Sequence, residues 1–274
     1  MNRLFAANFF RLKKNGFFWI GVAFMGLTGV LFPVMRYLDM KETGGNNTLD
    51  EGFFPCAVFI GILSSIFISL FIGTEYGDGT IRNKIIVGQK RSSIYLANLL
   101  VCSLVGIAYC AIFFAVYLGV GIPLLGFFAT RIQTVLLLVI TVFLLSLAFS
   151  GLFTMIASLE QNKALTVLFC VLLAFLLLIA GTYINARLSE PETYPAVYMT
   201  EEGTTATDVE NPNYLEGNER KIYQFFYNFL PGGQAIQCTS MEMSNPSLLW
   251  TYSLIILIVS TGVGLFFLQR KDLK

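Results

Sequence analysis

Side chains that could bind a partner or do chemistry are concentrated in one short polar stretch, residues 73–95, between two long apolar runs. It holds the carboxylates Glu75 and Asp78 and, soon after them, Arg82 and Lys84. Charged groups of both signs at this spacing suit docking, since a hydrogen bond to a charged group contributes about 1.5–3 kcal/mol. Histidine bases, Ser–His triads and histidine metal sites are excluded because the 274 residues contain no histidine. This removes most hydrolase classes.

Other catalytic chemistry also finds little support in the sequence. The five cysteines show no Cys-x-x-Cys spacing, and four of them lie in or at the edge of apolar runs, which is typical of packing residues. No Gly-x-x-x-x-Gly-Lys-Ser/Thr stretch is present to cradle a nucleotide phosphate. We therefore predict no catalytic residue, no metal site and no cofactor bound by the chain itself.

The polar stretch is predicted to form a short amphipathic helix. Asp78 or Thr80 can cap its start, Ile81 and Ile85 lie four residues apart on one face, and Gly88 supplies a left-handed residue at its end. The apolar face would lie against the membrane-embedded body of the protein.

The polar residues of this helix have two interpretations. Asp78 and Arg82 are spaced for an ion pair with the acid first, and the helix would keep its polar side chains available to a partner: Glu75, Arg82, Asn83 and Lys84. Alternatively the segment is a basic loop that only sets the orientation of the chain in the membrane.

Composition identifies the elements that must position this segment. The chain is 55% hydrophobic and 13% charged with a mean hydropathy of +0.69, outside the range of soluble domains. Apolar runs of about 19 residues or more can cross a bilayer as helices. We predict an all-α integral membrane protein, a single transmembrane domain over residues 1–274 with six transmembrane helices at about 17–35, 53–72, 94–122, 132–157, 164–184 and 248–268.

Two further segments flank the spans. Residues 2–14 alternate apolar and basic side chains, the pattern of an interfacial helix. Residues 185–247 form a large acidic loop, too polar to fold as an ordinary domain. Within the loop an apolar stripe at i, i+3, i+4 and i+7 predicts an outer-surface or re-entrant helix and a candidate gate, formed by Ile222, Phe225, Phe226 and Phe229 and ended by Pro231 and Gly232.

Charge sets the predicted orientation. With six spans and an inside N-terminus, twelve of the 18 Lys and Arg residues lie on the inner side, whereas 13 of the 17 Asp and Glu residues lie outside. The positive-inside rule then selects N-in, C-in, with the loop at 185–247 facing outward.

The motif and the span pattern together resemble a known family, the permease subunits of ATP-binding-cassette transporters of the second exporter class, which includes bacterial drug, lantibiotic and bacitracin permeases. The resemblance is carried by Glu75, residues 79–84, Gly88 and the run 90–95, with a basic end at 270–274 and an outer segment at 230–237. In such permeases this stretch is the cytoplasmic coupling helix that docks on the ATPase. The resemblance assigns that role to Glu75, Asp78, Gly79, Thr80, Arg82, Asn83 and Lys84.

The resemblance also implies an assembly. ATP and magnesium would bind in a separate cytoplasmic ATPase subunit, and a second permease copy or a sister permease would complete a homo- or heterodimer in a bacterial cytoplasmic membrane. The seam of such dimers usually involves the first and fifth spans. The small-residue pairs Ser65/Ser69 and Ser146/Ser150 could also bring helices close.

Three functions compete. The leading one is ATP-driven export or extraction of an amphipathic cargo such as an antimicrobial peptide or drug. The alternative is a non-transporting sensor or scaffold that reports ligand binding at the outer loop to a cytoplasmic partner. A facilitative channel would need a polar pore lining, which these leucine- and phenylalanine-rich spans lack. Membrane lipid is an expected contact, and no nucleic-acid partner is implied.

Overall fold

The computed structural model describes residues 2–45, 48–50, 52–200, 203–241, 243 and 245–271, without the side chains of 196–207. The described chain is helical apart from one hairpin. Its elements in order are α1 (Asn2–Lys13), α2 (Gly16–Thr43), α3 (Cys56–Gly77), α4 (Thr80–Ile86), α5 (Arg91–Leu125), α6 (Ile132–Leu159), α7 (Lys163–Leu188), β1 (Thr193–Thr200), β2 (Gly203–Glu210), α8 (Gly217–Phe229), α9 (Pro231–Ser240) and α10 (Pro246–Arg270).

Six of these helices, α2, α3, α5, α6, α7 and α10, are long and apolar enough to cross a membrane. This confirms the prediction of an all-α membrane protein with six spans. Five of the predicted spans lie within one helix each, but the second starts late because Pro55 is the N-cap of α3. Pro123 does not end the third span, since α5 continues to Leu125.

The core of the bundle is built from α3, α5 and α6, with α2, α7 and α10 around them. Close approach uses small residues, as expected where helices associate without a hydrophobic driving force. Gly21 of α2 lies against the ring of Tyr109 on α5, and Gly61 of α3 lies against Phe149 on α6. Ser146 and Ser150 face Gly106 of α5, so this small-residue pair joins two helices of the same chain.

The segment between α7 and α10 has more structure than its composition predicts. Strands β1 and β2 form an antiparallel hairpin whose register runs from Thr193 opposite Glu210 to Thr200 opposite Gly203. A hairpin draws its backbone hydrogen bonds from its own two strands, so it needs no large apolar core to form its ladder. After it, α8 has no buried residue, whereas most of α9 is buried among α3, α6 and α7. The predicted stripe at 222–229 thus lies on the surface helix α8, and the inserted helix α9, which begins at Pro231, was not predicted.

Candidate functional site

One end of the bundle gathers α1, α4, the last turn of α3 and the first turn of α5. The chain reverses between α3 and α4 at Gly79, whose φ of 67° is a left-handed conformation that glycine adopts at little cost. Gly79 is the N-cap of α4, so the prediction that Asp78 or Thr80 caps the helix is wrong. The Thr80 hydroxyl instead donates to the carbonyl of Glu75 at 3.0 Å. Gly88, at φ 90°, provides the predicted left-handed residue after the helix.

The apolar face of α4 has the predicted orientation. Ile81 is buried, and Ile85 packs against a small cluster formed by Leu4 of α1 with Ile94 and Ala97 of α5. With only seven residues α4 is too short to be stable alone. Its position therefore depends on contacts with the neighbouring helices.

The carboxylate of Glu75 is fully buried and lies at the centre of these contacts. One of its oxygens, Oε1, accepts hydrogen bonds from both Arg11 of α1 and Lys84 of α4, and Oε2 accepts one from the side-chain amide of Asn98 on α5 at 2.8 Å. A buried carboxylate without partners would cost several kcal/mol, which explains why two cations and an amide converge on it.

Asn8 of α1 completes a polar network. Its amide donates to Asn98, and its carbonyl oxygen accepts from Lys84 Nζ at 3.2 Å. Arg11 is fixed further by the ring of Phe71, 3.7 Å from the guanidinium carbon, and by the Phe71 carbonyl at 3.2 Å. We call the five polar residues the Glu75 cluster: Asn8, Arg11, Glu75, Lys84 and Asn98. The cluster joins α1, α3, α4 and α5.

This arrangement corrects part of the sequence analysis. Glu75 is buried and Lys84 is turned toward it, so neither presents a free charge to a partner. The predicted pair of Asp78 with Arg82 is also wrong, because no salt bridge joins these two described residues. Arg82 and Asn83 remain exposed, as does Asp78.

The surface that α4 offers to a partner is partly apolar. Ile86 is 75% exposed and Val87 is 78% exposed, next to the exposed Asn83. A cavity of about 300 Å³ beside α4 is bordered by Arg82, Gly79 and Gln161 from the α6–α7 turn. A helix with exposed branched side chains beside a polar cavity is suited to docking on a complementary groove.

Cationic side chains also bond the C-terminal ends of α6 and α10 at this side of the bundle. Arg91 donates to the carbonyls of Leu268 at 3.1 Å and Gln269 at 3.2 Å, at the end of α10, and Lys271 donates to the carbonyl of Leu159, at the end of α6. Cations at helix C-termini satisfy orphan carbonyls and oppose the helix dipole. Burial lowers the pKa of Lys271, partly offset by the carboxylate of Glu160. In the predicted basic end, Lys271 is therefore packed against α6, whereas Arg270 is exposed. Residues 272–274 lie outside the described chain.

The predicted gate residues lie at the opposite end, on α8 and α9. Phe225 and Phe229 stack on each other and contact the ring of Tyr252 edge-on, while Phe226 stays about half exposed. Phe229 and Pro231 line an apolar pocket of about 370 Å³ between α6, α7 and α10.

Gly232 marks the closest helix crossing at this end. A Cβ at this position would lie 1.8 Å from the carbonyl oxygen of Leu177 on α7, so only glycine fits. Next to it, buried Gln234 accepts a hydrogen bond from Ser253 of α10 at 2.6 Å and donates to the carbonyl of Asn228 at 2.9 Å. These contacts hold α9 inside the bundle.

Sequence reasoning missed Asn8, Arg11 and Asn98 as members of the site. Two of them have a detectable signal: Asn98 is a polar side chain within an apolar run, and Asn8 lies on the same face of α1 as Leu4 and Leu12. No pattern within one segment indicates that the three join one cluster around Glu75.

Comparison with known proteins identifies the family of the chain. No curated protein sequence matches the chain. The family model described as "ABC-2 family transporter protein" matches residues 4–184, which include the whole Glu75 cluster and α4. Because the match covers more than half of the 274 residues, the chain belongs to the ABC-2 family of transporter proteins.

Proposed function

We propose that the protein is the permease of an ATP-driven exporter and that α4 docks on a separate ATPase subunit in the cytoplasm. Membership of the ABC-2 family supports an ABC transporter permease associated with ATPase subunits. The observation that carries the docking site is the exposed face of α4, Arg82, Asn83, Ile86 and Val87, on a helix held from behind by the Glu75 cluster. By the positive-inside rule this end faces the cytoplasm.

The energy source follows from the same residues. An ionisable group within a membrane helix is a candidate proton carrier, and Glu75 lies in the last turn of α3. Its carboxylate is already bonded to two cationic side chains and one amide of the same chain, which argues for a structural ion cluster and against that role. With no phosphate-cradling motif in the sequence, ATP and magnesium would bind in the partner, and the chain itself would not be an enzyme.

The proposed assembly is a dimer, with an identical or a sister permease, in a bacterial cytoplasmic membrane. Exposed apolar side chains on α2 and α7, including Leu27, Phe175 and Ile179, are compatible with a seam along these helices. The proposed cargo is an amphipathic molecule such as a drug or antimicrobial peptide. Its support is the apolar pocket lined by Phe229, at one end of α8, and the acidic cleft bordered by Glu192, Glu210 and Glu216 at the other end, which would favour a cationic partner.

The test is a charge reversal on α4. Arg82→Glu should weaken co-purification with the ATPase roughly 10–100-fold, the loss of one charge-assisted hydrogen bond of about 1.5–3 kcal/mol. Arg270→Glu is the matched control, because Arg270 is an exposed cation on α10 at the same end of the bundle. Equal co-purification of Arg82→Glu and Arg270→Glu would remove α4 as the docking site.

A sensor or scaffold role is distinguished by transport. In vesicles that contain the chain and the ATPase, the exporter moves amphipathic cargo when ATP is supplied. Stimulation of ATP hydrolysis by a ligand of the outer loop, with no cargo movement, would favour the sensor instead.

A further inference from the structure

Helix α1 has two faces with different partners. Its inner face is buried: Leu4, Asn8 and Leu12 repeat every four residues and contact the bundle. Its outer face carries exposed aromatic rings, Phe10 at 61% and Phe9 at 37% exposure. Phe9 also stacks on Phe5 of the same helix.

The outer face is also strongly cationic. Arg3, Lys13 and Lys14 are exposed, and α1 contains no acidic residue. The two lysines lie over the rings, with Lys14 Nζ 4.5 Å from the centre of Phe10 and Lys13 Nζ 5.1 Å from the centre of Phe9. An aromatic ring paired with an ammonium group suits the membrane interface, where the ring enters the acyl boundary and the cation stays among the headgroups.

Trp19 extends this surface onto the membrane-spanning helix. Its ring is 55% exposed, and its indole N–H donates to the carbonyl of Lys13 at 2.9 Å. Tryptophan is enriched at the bilayer boundary because it combines an apolar body with a polar tip. The cations of α1 are therefore placed at headgroup level by the start of α2, and charge complementarity selects an anionic headgroup.

The inner face links this surface to α4. Arg11 of α1 and Lys84 of α4 share Glu75 Oε1, and Lys84 also donates to Asn8 of α1 at 3.2 Å. Lys84 therefore bonds Glu75 and Asn8, and it shares its acceptor with Arg11. Two of these three side chains, Asn8 and Arg11, lie on α1, so a displacement of α1 alters the contacts of Lys84. Since α4 is short and otherwise anchored by Ile81 and Ile85, its position responds to α1.

We propose that the outer face of α1 binds anionic phospholipid headgroups and that this binding is transmitted to α4 through the Glu75 cluster. The lipid site stands on α1 alone. The consequence for ATPase docking rests on the proposed function, in which α4 is the docking helix. Each Lys or Arg near an anionic membrane surface contributes about 1 kcal/mol, so removal of one cation should lower the preference for anionic lipid about fivefold.

Quenching of Trp19 by brominated lipid tests the binding. The chain has two tryptophans, so the whole protein carrying Trp250→Phe leaves Trp19 as the reporter. In vesicles of equal bromine content, brominated phosphatidylglycerol should quench Trp19 more than brominated phosphatidylcholine. The double variant Lys13→Gln/Lys14→Gln should lose most of this preference.

A matched control exists at the other end of the bundle. Lys41 also lies over a ring, with its Nζ 4.8 Å from the centre of Tyr37. Lys41→Gln removes the same charge in the same kind of contact and should leave the quenching of Trp19 unchanged. Equal quenching by both lipids before any lysine is replaced, or equal effects of the Lys41 and Lys13/Lys14 variants, would overturn the lipid site.

A label on α4 tests the transmission. All five native cysteines are buried, so Val87→Cys supplies one accessible thiol for an environment-sensitive fluorophore. Its emission should differ between phosphatidylglycerol and phosphatidylcholine vesicles. Asn8→Ala should keep the lipid preference of Trp19 but lose the response of the label. Lys84→Met removes the same link from the α4 side and serves as a second variant if Asn8→Ala does not fold.

The outcomes separate the two proposals. Equal emission of the label in phosphatidylglycerol and phosphatidylcholine vesicles would refute transmission through the cluster. A response in Asn8→Ala and Lys84→Met equal to that of the parent protein would refute it too. Neither measurement includes an ATPase, so these results do not depend on whether α4 docks one. Loss of docking in Arg82→Glu would likewise say nothing about lipid binding.

Discussion

Removal of the Glu75 carboxylate should destabilise the protein because it leaves two partly buried cations without their carboxylate partner. In Glu75→Met, Arg11 and Lys84 both lose their acceptor, and the side chain of Glu75 is fully buried. Loss of one partner from a buried ion pair costs about 3–5 kcal/mol. At roughly 2–4 °C per kcal/mol for a chain of this size, the unfolding temperature should fall by roughly 6–20 °C.

The same argument predicts recovery when all three charges are removed together. The triple variant Arg11→Met/Glu75→Met/Lys84→Met leaves no uncompensated charge, and such replacements are often neutral or stabilising. Two deficits remain, since the amide of Asn98 loses its acceptor on Glu75 and the carbonyl oxygen of Asn8 loses its donor on Lys84; an unsatisfied buried group costs about 1–3 kcal/mol. The triple variant should therefore unfold above Glu75→Met but below the parent protein.

The buried cysteines supply the assay. A thiol-reactive fluorogenic dye reacts with them only when the bundle opens, so heating at one fixed scan rate compares all variants. Asp78→Met is the control, since it removes the same charge from an exposed position near Glu75. A decrease no larger than that of Asp78→Met, or a triple variant no more stable than Glu75→Met, would refute the view that the cluster compensates buried charge.

Three further predictions follow from other contacts. Gly232→Ala should lower the unfolding temperature strongly because its methyl group would lie 1.8 Å from the backbone of α7. The control Gly262→Ala, with no atom within 4 Å of its methyl group, should be neutral or stabilise by up to about 1 kcal/mol. Similar unfolding temperatures for the two variants would contradict the α7–α9 crossing. In intact cells Asn213→Cys should react with an impermeant thiol reagent and Val87→Cys should not, and the reverse result would invert the assigned orientation. Asp50→Asn should destabilise the protein at neutral pH and progressively less on acidification, measured as melting temperature against pH; a constant difference would contradict this.

The pH dependence of Asp50 follows from its contacts. Burial alone raises the pKa of this carboxyl, but hydrogen bonds from the backbone of Ala129, at 2.6 Å, and Thr130, at 3.2 Å, outweigh it and leave the pKa below its ordinary value of 3.8. A pKa that is lower in the folded state contributes stability that is present above the unfolded value and lost as the pH falls through the folded value. The contacts join the α2–α3 connection to the α5–α6 connection.

The apolar runs largely predicted the membrane fold. A run of about 20 residues without charge must satisfy its backbone internally in lipid, so a helix follows from length and composition alone. The same local logic located α4, because Gly88 and the spacing of Ile81 and Ile85 act within a few residues. The predicted N-cap of α4 was wrong because Asp78 and Gly79 compete for the turn. Gly79, at φ 67°, makes the tighter reversal and is the N-cap.

The hairpin and the inserted helix were harder to predict. Residues 185–247 have too little apolar content to indicate a packed unit, yet β1 and β2 pair through their backbones. Helix α9 is buried although its sequence is rich in small and polar residues, because Gly232 permits contact with α7 and Gln234 finds a partner on α10. The hairpin depends on pairing between its own two strands, whereas the burial of α9 depends on helices outside the segment.

The sequence by itself determined the class of the protein, its six spans and the place of α4, since each depends on residues that are close together in the chain. The tertiary structure alone decided which polar residues face a partner and which face each other. Arg11, Lys84 and Asn98 meet at Glu75, and Asn8 bonds two of them, only after four helices have packed. Burial is a property of that packing, and it placed the carboxylate of Glu75 at the centre of an internal ion cluster.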